Sequence, residues 1–161
     1  METTFTCVEW LGYYKDEVQK IKDVSPFLSV LCIAAGIEYM GKLLRTDPLD
    51  RGDDSSGKFE QALKSFKSLN KYAGKGLYNL IRCGLAHRIT VKENVILTRI
   101  DETQLDDSPI IINVNTLVMD FIEAVKDAQS KTDWENPNTH NPYVTINDES
   151  ETGSTITMKF Q

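Results

Sequence analysis

Metal-binding and disulfide chemistry have little to work with in this chain. Cysteine occurs three times, at Cys7, Cys32 and Cys83, an odd number at wide spacings with no Cys-x2-Cys pair. Histidine occurs only twice, at His87 and His140. That argues against a disulfide framework and against a zinc site, and no metal or cofactor is expected. No apolar run reaches the roughly 20 residues that a bilayer demands. The opening METTFTCVEW has neither the basic start nor the apolar stretch of a secretory signal. A cytoplasmic protein without a membrane span is expected. Internal repeats and low-complexity tracts are missing, and so is the Gly-x-Ser-x-Gly elbow of a serine nucleophile.

What is present suffices for one compact domain over 1–161, since 40% of 161 residues are hydrophobic and 26% charged. The formal net charge of -6 hides an uneven distribution. Residues 1–57 and 89–161 are both acidic, whereas 58–88 carry Lys58, Lys64, Lys67, Lys71, Lys75, Arg82 and Arg88 against Glu60 alone. Such a stretch is either a positive field aimed at an anionic partner or a solvated helix face.

Periodicity divides the chain into helices followed by strands. A first helix is expected over about 4–22, with Cys7, Leu11, Tyr14, Val18 and Ile21 on one stripe. Ser25 and Pro26 supply an N-cap and an N1 proline for a second helix reaching about Leu44. It is apolar nearly all round and so belongs at the centre, with Gly36 and Gly41 permitting close contact. After the loop 45–57, a third helix is expected over about 58–69 and a fourth from Tyr72 or Gly76 to Ala86, burying Leu77, Leu80, Ile81, Gly84 and Leu85. β-type runs follow at 89–92, 95–100 and 110–114. Asn115 is placed to cap a fifth helix running to about Lys131, and a hairpin is expected over 142–161. The expected architecture is mainly α: a bundle of four to five helices, core about 5–131, with a small antiparallel β addition in the C-terminal half.

Several motifs fail on their chemistry. GDDSSGK, from Gly52 to Lys58, has P-loop spacing, but a helix precedes it, Phe59 stands where a hydroxyl must hold magnesium, and Asp53 and Asp54 repel phosphate. The paired acids Asp53/Asp54, Asp106/Asp107 and Glu149/Glu151 fall among turn residues and read as solvated. His140 has no acid or cysteine at ligand spacing.

Arg82 and His87 remain, in LYNLIRCGLAHR. Arginine offers a permanent charge and a planar fork of donors suited to a phosphodiester, and histidine exchanges protons near neutral pH. Together they equip phosphoryl transfer without metal. On an ideal helix five residues separate them by about 140 degrees. Either Gly84 relaxes the helix end or a second copy of the chain completes the site. The plainer alternative is a histidine favoured by the helix dipole beside a surface arginine.

The segment from Leu77 to Arg88, with the preceding helix from Ala34 to Leu44, resembles the HEPN superfamily of small helical bundles, defined by an Arg-x4-6-His motif at a helix end. The resemblance covers roughly residues 5–130 and leaves out the C-terminal β addition. It implies a homodimeric, metal-independent endoribonuclease, with Arg82 and His87 catalytic. Asn79, Cys83, Arg88, Lys71 and Lys75 are then expected on the RNA-binding side. It also implies a toxin or defence setting, with a nucleotidyltransferase-like antitoxin as candidate partner. Cys83 departs from the pattern: many active members carry Asn, Asp or His after the arginine, and a thiol orients substrate poorly. The alternative is therefore a non-catalytic RNA-binding or dimerisation module, and a third reading is a nucleotide-sensing accessory protein.

Overall fold

The structure is a computed structural model that describes residues 2–45, 54–88, 94–131, 142–149 and 153–157, without the side chains of residues 2, 3, 86–88 and the last two segments. The described chain is mainly helical. Strand β1 covers Glu2–Thr6, and the α-helices are α1 (Cys7–Ile21), α2 (Pro26–Leu43), α3 (Ser55–Ser65), α4 (Cys83–Arg88) and α5 (Val114–Ser130). A five-residue π-turn, Tyr78–Arg82, leads directly into α4. The remaining strands are β2 (Val95–Thr98), β3 (Ile110–Asn113), β4 (Pro142–Glu149) and β5 (Gly153–Thr157).

Helix α2 is the hub, packing on α1, α3, α5 and the π-turn. By length and composition it is apolar enough to cross a membrane, yet half of it is buried inside the fold, as in a core helix. Ser25 caps it by accepting from Leu28 N–H at 3.2 Å, and Pro26 occupies its first turn. Gly41 is obligatory there: a Cβ at this position would lie 1.8 Å from the Lys58 carbonyl oxygen, so α2 and α3 cross backbone to backbone. Val30, Ile33, Met40, Leu63, Phe66 and Phe121 are among the side chains that close the core.

Three element boundaries differ from expectation. Residues 2–6, ETTFT, form β1, so that 4–6 are strand rather than the first turn of a helix, because three of the five are β-branched threonines flanking an aromatic and a strand partner is available in β4. Thr6 then caps α1, accepting from Glu9 N–H at 3.3 Å while Glu9 accepts from Thr6 N–H at 2.8 Å. Helix α3 begins at Ser55, earlier than expected, because the Asp54 carboxylate accepts from Gly57 N–H at 2.8 Å. It ends at Ser65, and the chain continues through turns and a short 3-10 segment, Asn70–Tyr72. The cap of α5 is Asn113 instead of Asn115, its side-chain oxygen accepting from Thr116 N–H at 2.9 Å.

The β addition is not uniformly antiparallel. Strands β2 and β3 pair in parallel, Val95 opposite Ile110 through Thr98 opposite Asn113. The turn-rich segment 99–109 does not make a hairpin; it loops back and lays Gln104 against Ile111, exchanging hydrogen bonds of 2.8 and 2.7 Å. Arg99 anchors that loop by donating to the carbonyls of Lys22 and Asp23 at 3.0 and 3.1 Å. The returning strand therefore runs beside β2 in the same direction. A separate sheet of order β1-β4-β5 carries antiparallel pairings, Phe5 opposite Val144 and Ile146 opposite Ile156. The expected strand at 89–92, the acids Asp53 and Glu151, and His140 lie outside the described residues.

Candidate active site

The segment bearing Arg82 starts from two glycines in the left-handed region, Gly74 at φ 72° and Gly76 at φ 66°. The Gly76 carbonyl accepts from both Asn79 N–H and Leu80 N–H, at 3.1 and 3.2 Å, and so starts the helical chain. From there the backbone widens: Cys83 N–H donates to the Tyr78 carbonyl, five residues back. Leu77, Ile81 and Leu85 are all buried, an i, i+4, i+8 stripe that faces the core. Tyr78 secures the turn edge-on against Phe59, ring centroids 5.6 Å apart.

This geometry replaces Gly84 as the source of the relaxed helix. Gly84 is buried inside regular α4, and the irregular turn precedes it. Arg82 closes the π-turn and donates through Nε to Glu38 Oε2 at 3.1 Å, linking it to the middle of α2. The two side chains are 28% and 21% exposed, so the pair is only partly buried. Among the described residues no hydrogen bond occupies the Nη nitrogens of Arg82.

Asn79 and Cys83 lie one turn apart, and the Cys83 thiol faces Asn79 Oδ1 at 3.9 Å. Asn79 is exposed and Cys83 half-buried. His87 and Arg88 belong to α4, but their side chains are outside the described residues.

Lys71 and Lys75 are not gathered around Arg82. Lys71 pairs with Asp120 of α5 at 2.8 Å and stands over the Tyr72 ring, 5.3 Å from its centroid. Lys75 pairs with Asp106. Lys64 pairs with Glu60 at 3.8 Å, and Lys58 is buried at 4% exposure. Within the basic stretch Lys71, Lys75 and Arg82 are thus paired with acids from distant parts of the chain, and Lys67 alone of its lysines is exposed without a partner among the described residues.

The P-loop-like segment is likewise accounted for. Its helix N-terminus is filled by Asp54, which also binds Arg45 at 2.9 Å. The Arg45 guanidinium, ahead of the Gly57 N–H, holds the Asp54 carboxyl below the usual carboxylate range. No cluster of three or more potential metal ligands occurs among the described residues. The void beside the π-turn, about 10 Å³, is lined by Ile33, Ile37, Phe59, Leu63 and Ile81 among others. It is too small and too apolar to hold a substrate.

Sequence reasoning missed Glu38. It stood in the apolar run that marks α2, where a carboxylate amid Ile37, Tyr39 and Met40 was the available signal. Comparison with protein-family models, curated proteins and solved structures gave no match.

Proposed function

We propose that the chain is a HEPN-like, metal-independent endoribonuclease: a helical bundle that works as a cytoplasmic homodimer on RNA. The observation that supports this most is the state of Arg82, fixed at the joint between the π-turn and α4, partly exposed, with its Nη nitrogens unengaged among the described residues. A guanidinium presented in that way suits the charge that builds on a phosphodiester during transfer.

In the reaction, His87 takes the proton of a ribose 2′-hydroxyl as its oxygen bonds to the adjacent phosphorus. The bond from phosphorus to the 5′-oxygen breaks, and that oxygen is protonated by the motif histidine of a second copy. The products are a 2′,3′-cyclic phosphate and a 5′-hydroxyl. One base and one acid are required while each chain brings one motif histidine, so a two-fold dimer fits the chemistry. A nucleotidyltransferase-like antitoxin is the partner that the HEPN resemblance suggests.

A second reading is favoured by one observation. The residue after the arginine is a thiol directed at Asn79, a weak donor where a strong polar group is wanted. A non-catalytic RNA-binding module follows if that position is essential.

The two readings separate on single-stranded RNA incubated with chelator. Arg82→Ala and His87→Ala are each expected to reduce cleavage at least a hundredfold, about 2.7 kcal/mol of transition-state stabilisation, with unchanged far-UV circular dichroism. Cleavage undiminished in His87→Ala contradicts the catalytic assignment, and RNA binding without cleavage by the unaltered protein establishes the second reading.

A further inference from the structure

Glu38 touches Arg82 in a way that a simple surface ion pair does not require. Carboxylates commonly meet arginine fork to fork, with two parallel hydrogen bonds that consume one edge of the guanidinium. Here a single bond is made, from Nε to Oε2 at 3.1 Å, across 44 positions of sequence. Nε lies at the root of the guanidinium, so a bond there restrains the rotation of the plane without using the terminal nitrogens, which make no hydrogen bond among the described residues. The two residues sit on different elements, Glu38 on the hub helix α2 and Arg82 on the last position of the π-turn. The rigid core thereby holds a long, otherwise mobile side chain.

The surroundings leave this arrangement uncontested. Lys42, one turn along α2, is exposed and forms no ion pair with Glu38. Every other described acid with an ion pair, among them Asp106 and Asp120, is engaged with a lysine or arginine elsewhere in the chain. The pair is also only partly desolvated, at 28% and 21% exposure, and the hub helix is already packed on four elements without it. Its consequence is directional rather than cohesive.

We infer that Glu38 is a positioning residue, holding the Arg82 guanidinium through Nε so that its two terminal nitrogens form a preset fork for one phosphate of the RNA backbone. This deepens the ribonuclease reading and rests on it. Lysine at position 82 cannot substitute, because it has no Nε donor distinct from the group that meets the phosphate. Glutamine at position 38 can, because its amide oxygen accepts the same Nε–H bond.

The test uses the full chain with single-stranded RNA and chelator. Glu38→Ala is expected to lower kcat about tenfold to a hundredfold, the usual cost of a misplaced catalytic group, with KM changed less than threefold. Glu38→Gln is expected to stay within about threefold of the unaltered protein. In parallel, the Arg82 Nε–H proton, assigned by its loss in Arg82→Lys, should exchange slowly with water in the unaltered protein and in Glu38→Gln, and rapidly in Glu38→Ala. RNA cutting by Glu38→Ala at the unaltered rate overturns the positioning role while leaving the ribonuclease reading in place. Equal loss in Glu38→Ala and Glu38→Gln, with Nε–H protection kept in the latter, also overturns it. An unaltered protein that cuts no RNA overturns both.

Discussion

At the scale of single residues, the fold places two phenols where they cannot ionise readily. The Tyr72 hydroxyl donates to Asp120 Oδ2 at 2.6 Å, and the Tyr14 hydroxyl donates to the Cys32 carbonyl at 2.7 Å. Burial is the main cause raising both above the usual phenol range, ahead of Asp120 for Tyr72 and of Cys32 for Tyr14. A group whose folded pKa is raised holds its proton longer than the unfolded chain does. Its stabilising effect is complete below the unfolded value and is lost as pH rises beyond it. The protein should therefore lose stability above about pH 10, the ordinary tyrosine value. Urea unfolding at stepped pH should show this, and the slope should flatten in a Tyr14→Phe, Tyr72→Phe double variant. Arg82 stood out at this scale for its chemistry, and the structure adds its bond to Glu38 and the facing of Cys83 and Asn79. The roles assigned to Lys71 and Lys75 depend on which acids the fold delivers to them. Asp120 and Asp106 come from far along the chain, and no local pattern announces them.

Among elements, α2 was read nearly residue by residue. Ser25 and Pro26 marked the start of α2, where a side-chain acceptor and a preset φ act within three residues. The starts of α3 and α5 were displaced by local caps, Asp54 and Asn113, whereas strand pairing was decided by distant partners. Residues 2–6 became β1 because β4 was there to pair with, and β3 ran parallel to β2 because Arg99 and Gln104 tied the intervening loop back. The π-turn at Tyr78–Arg82 was read as α, because the buried stripe of Leu77, Ile81 and Leu85 fits an α-helix equally well. Asn113 joins two elements at once, capping α5 through its oxygen and donating from Nδ2 to the Ile100 carbonyl at 2.5 Å. Asn113→Ala should cost about 2 kcal/mol, a cap plus a buried hydrogen bond. Asn113→Ser should keep a capping acceptor and lose the bond to Ile100, costing less. Chemical denaturation of both variants checks the order, and equal losses would contradict the two-sided role.

Across the whole molecule, α2 organises the packing, and its contact with α3 through Gly41 is the tightest constraint on the fold. Because the nearest atoms are backbone atoms of Lys58, Gly41→Ala should cost about 3 kcal/mol or more, since neither helix can yield locally. Thermal unfolding measures this, and a Tm within a degree of the unaltered protein would show that the helices separate freely. The same hub presents Glu38 to Arg82, so the core and the candidate site share one helix. The charge pattern, read along the sequence as a positive band over 58–88, is reduced in three dimensions by Glu38, Asp106 and Asp120. Recognition of RNA is then expected to depend on the Arg82 surface more than on a lysine patch. The most direct measurement is the end-group chemistry of single-stranded RNA incubated with the purified protein in excess chelator. The account predicts fragments ending in 2′,3′-cyclic phosphate with 5′-hydroxyl partners, absent with His87→Ala. Intact RNA, or fragments bearing 5′-phosphates, would contradict it.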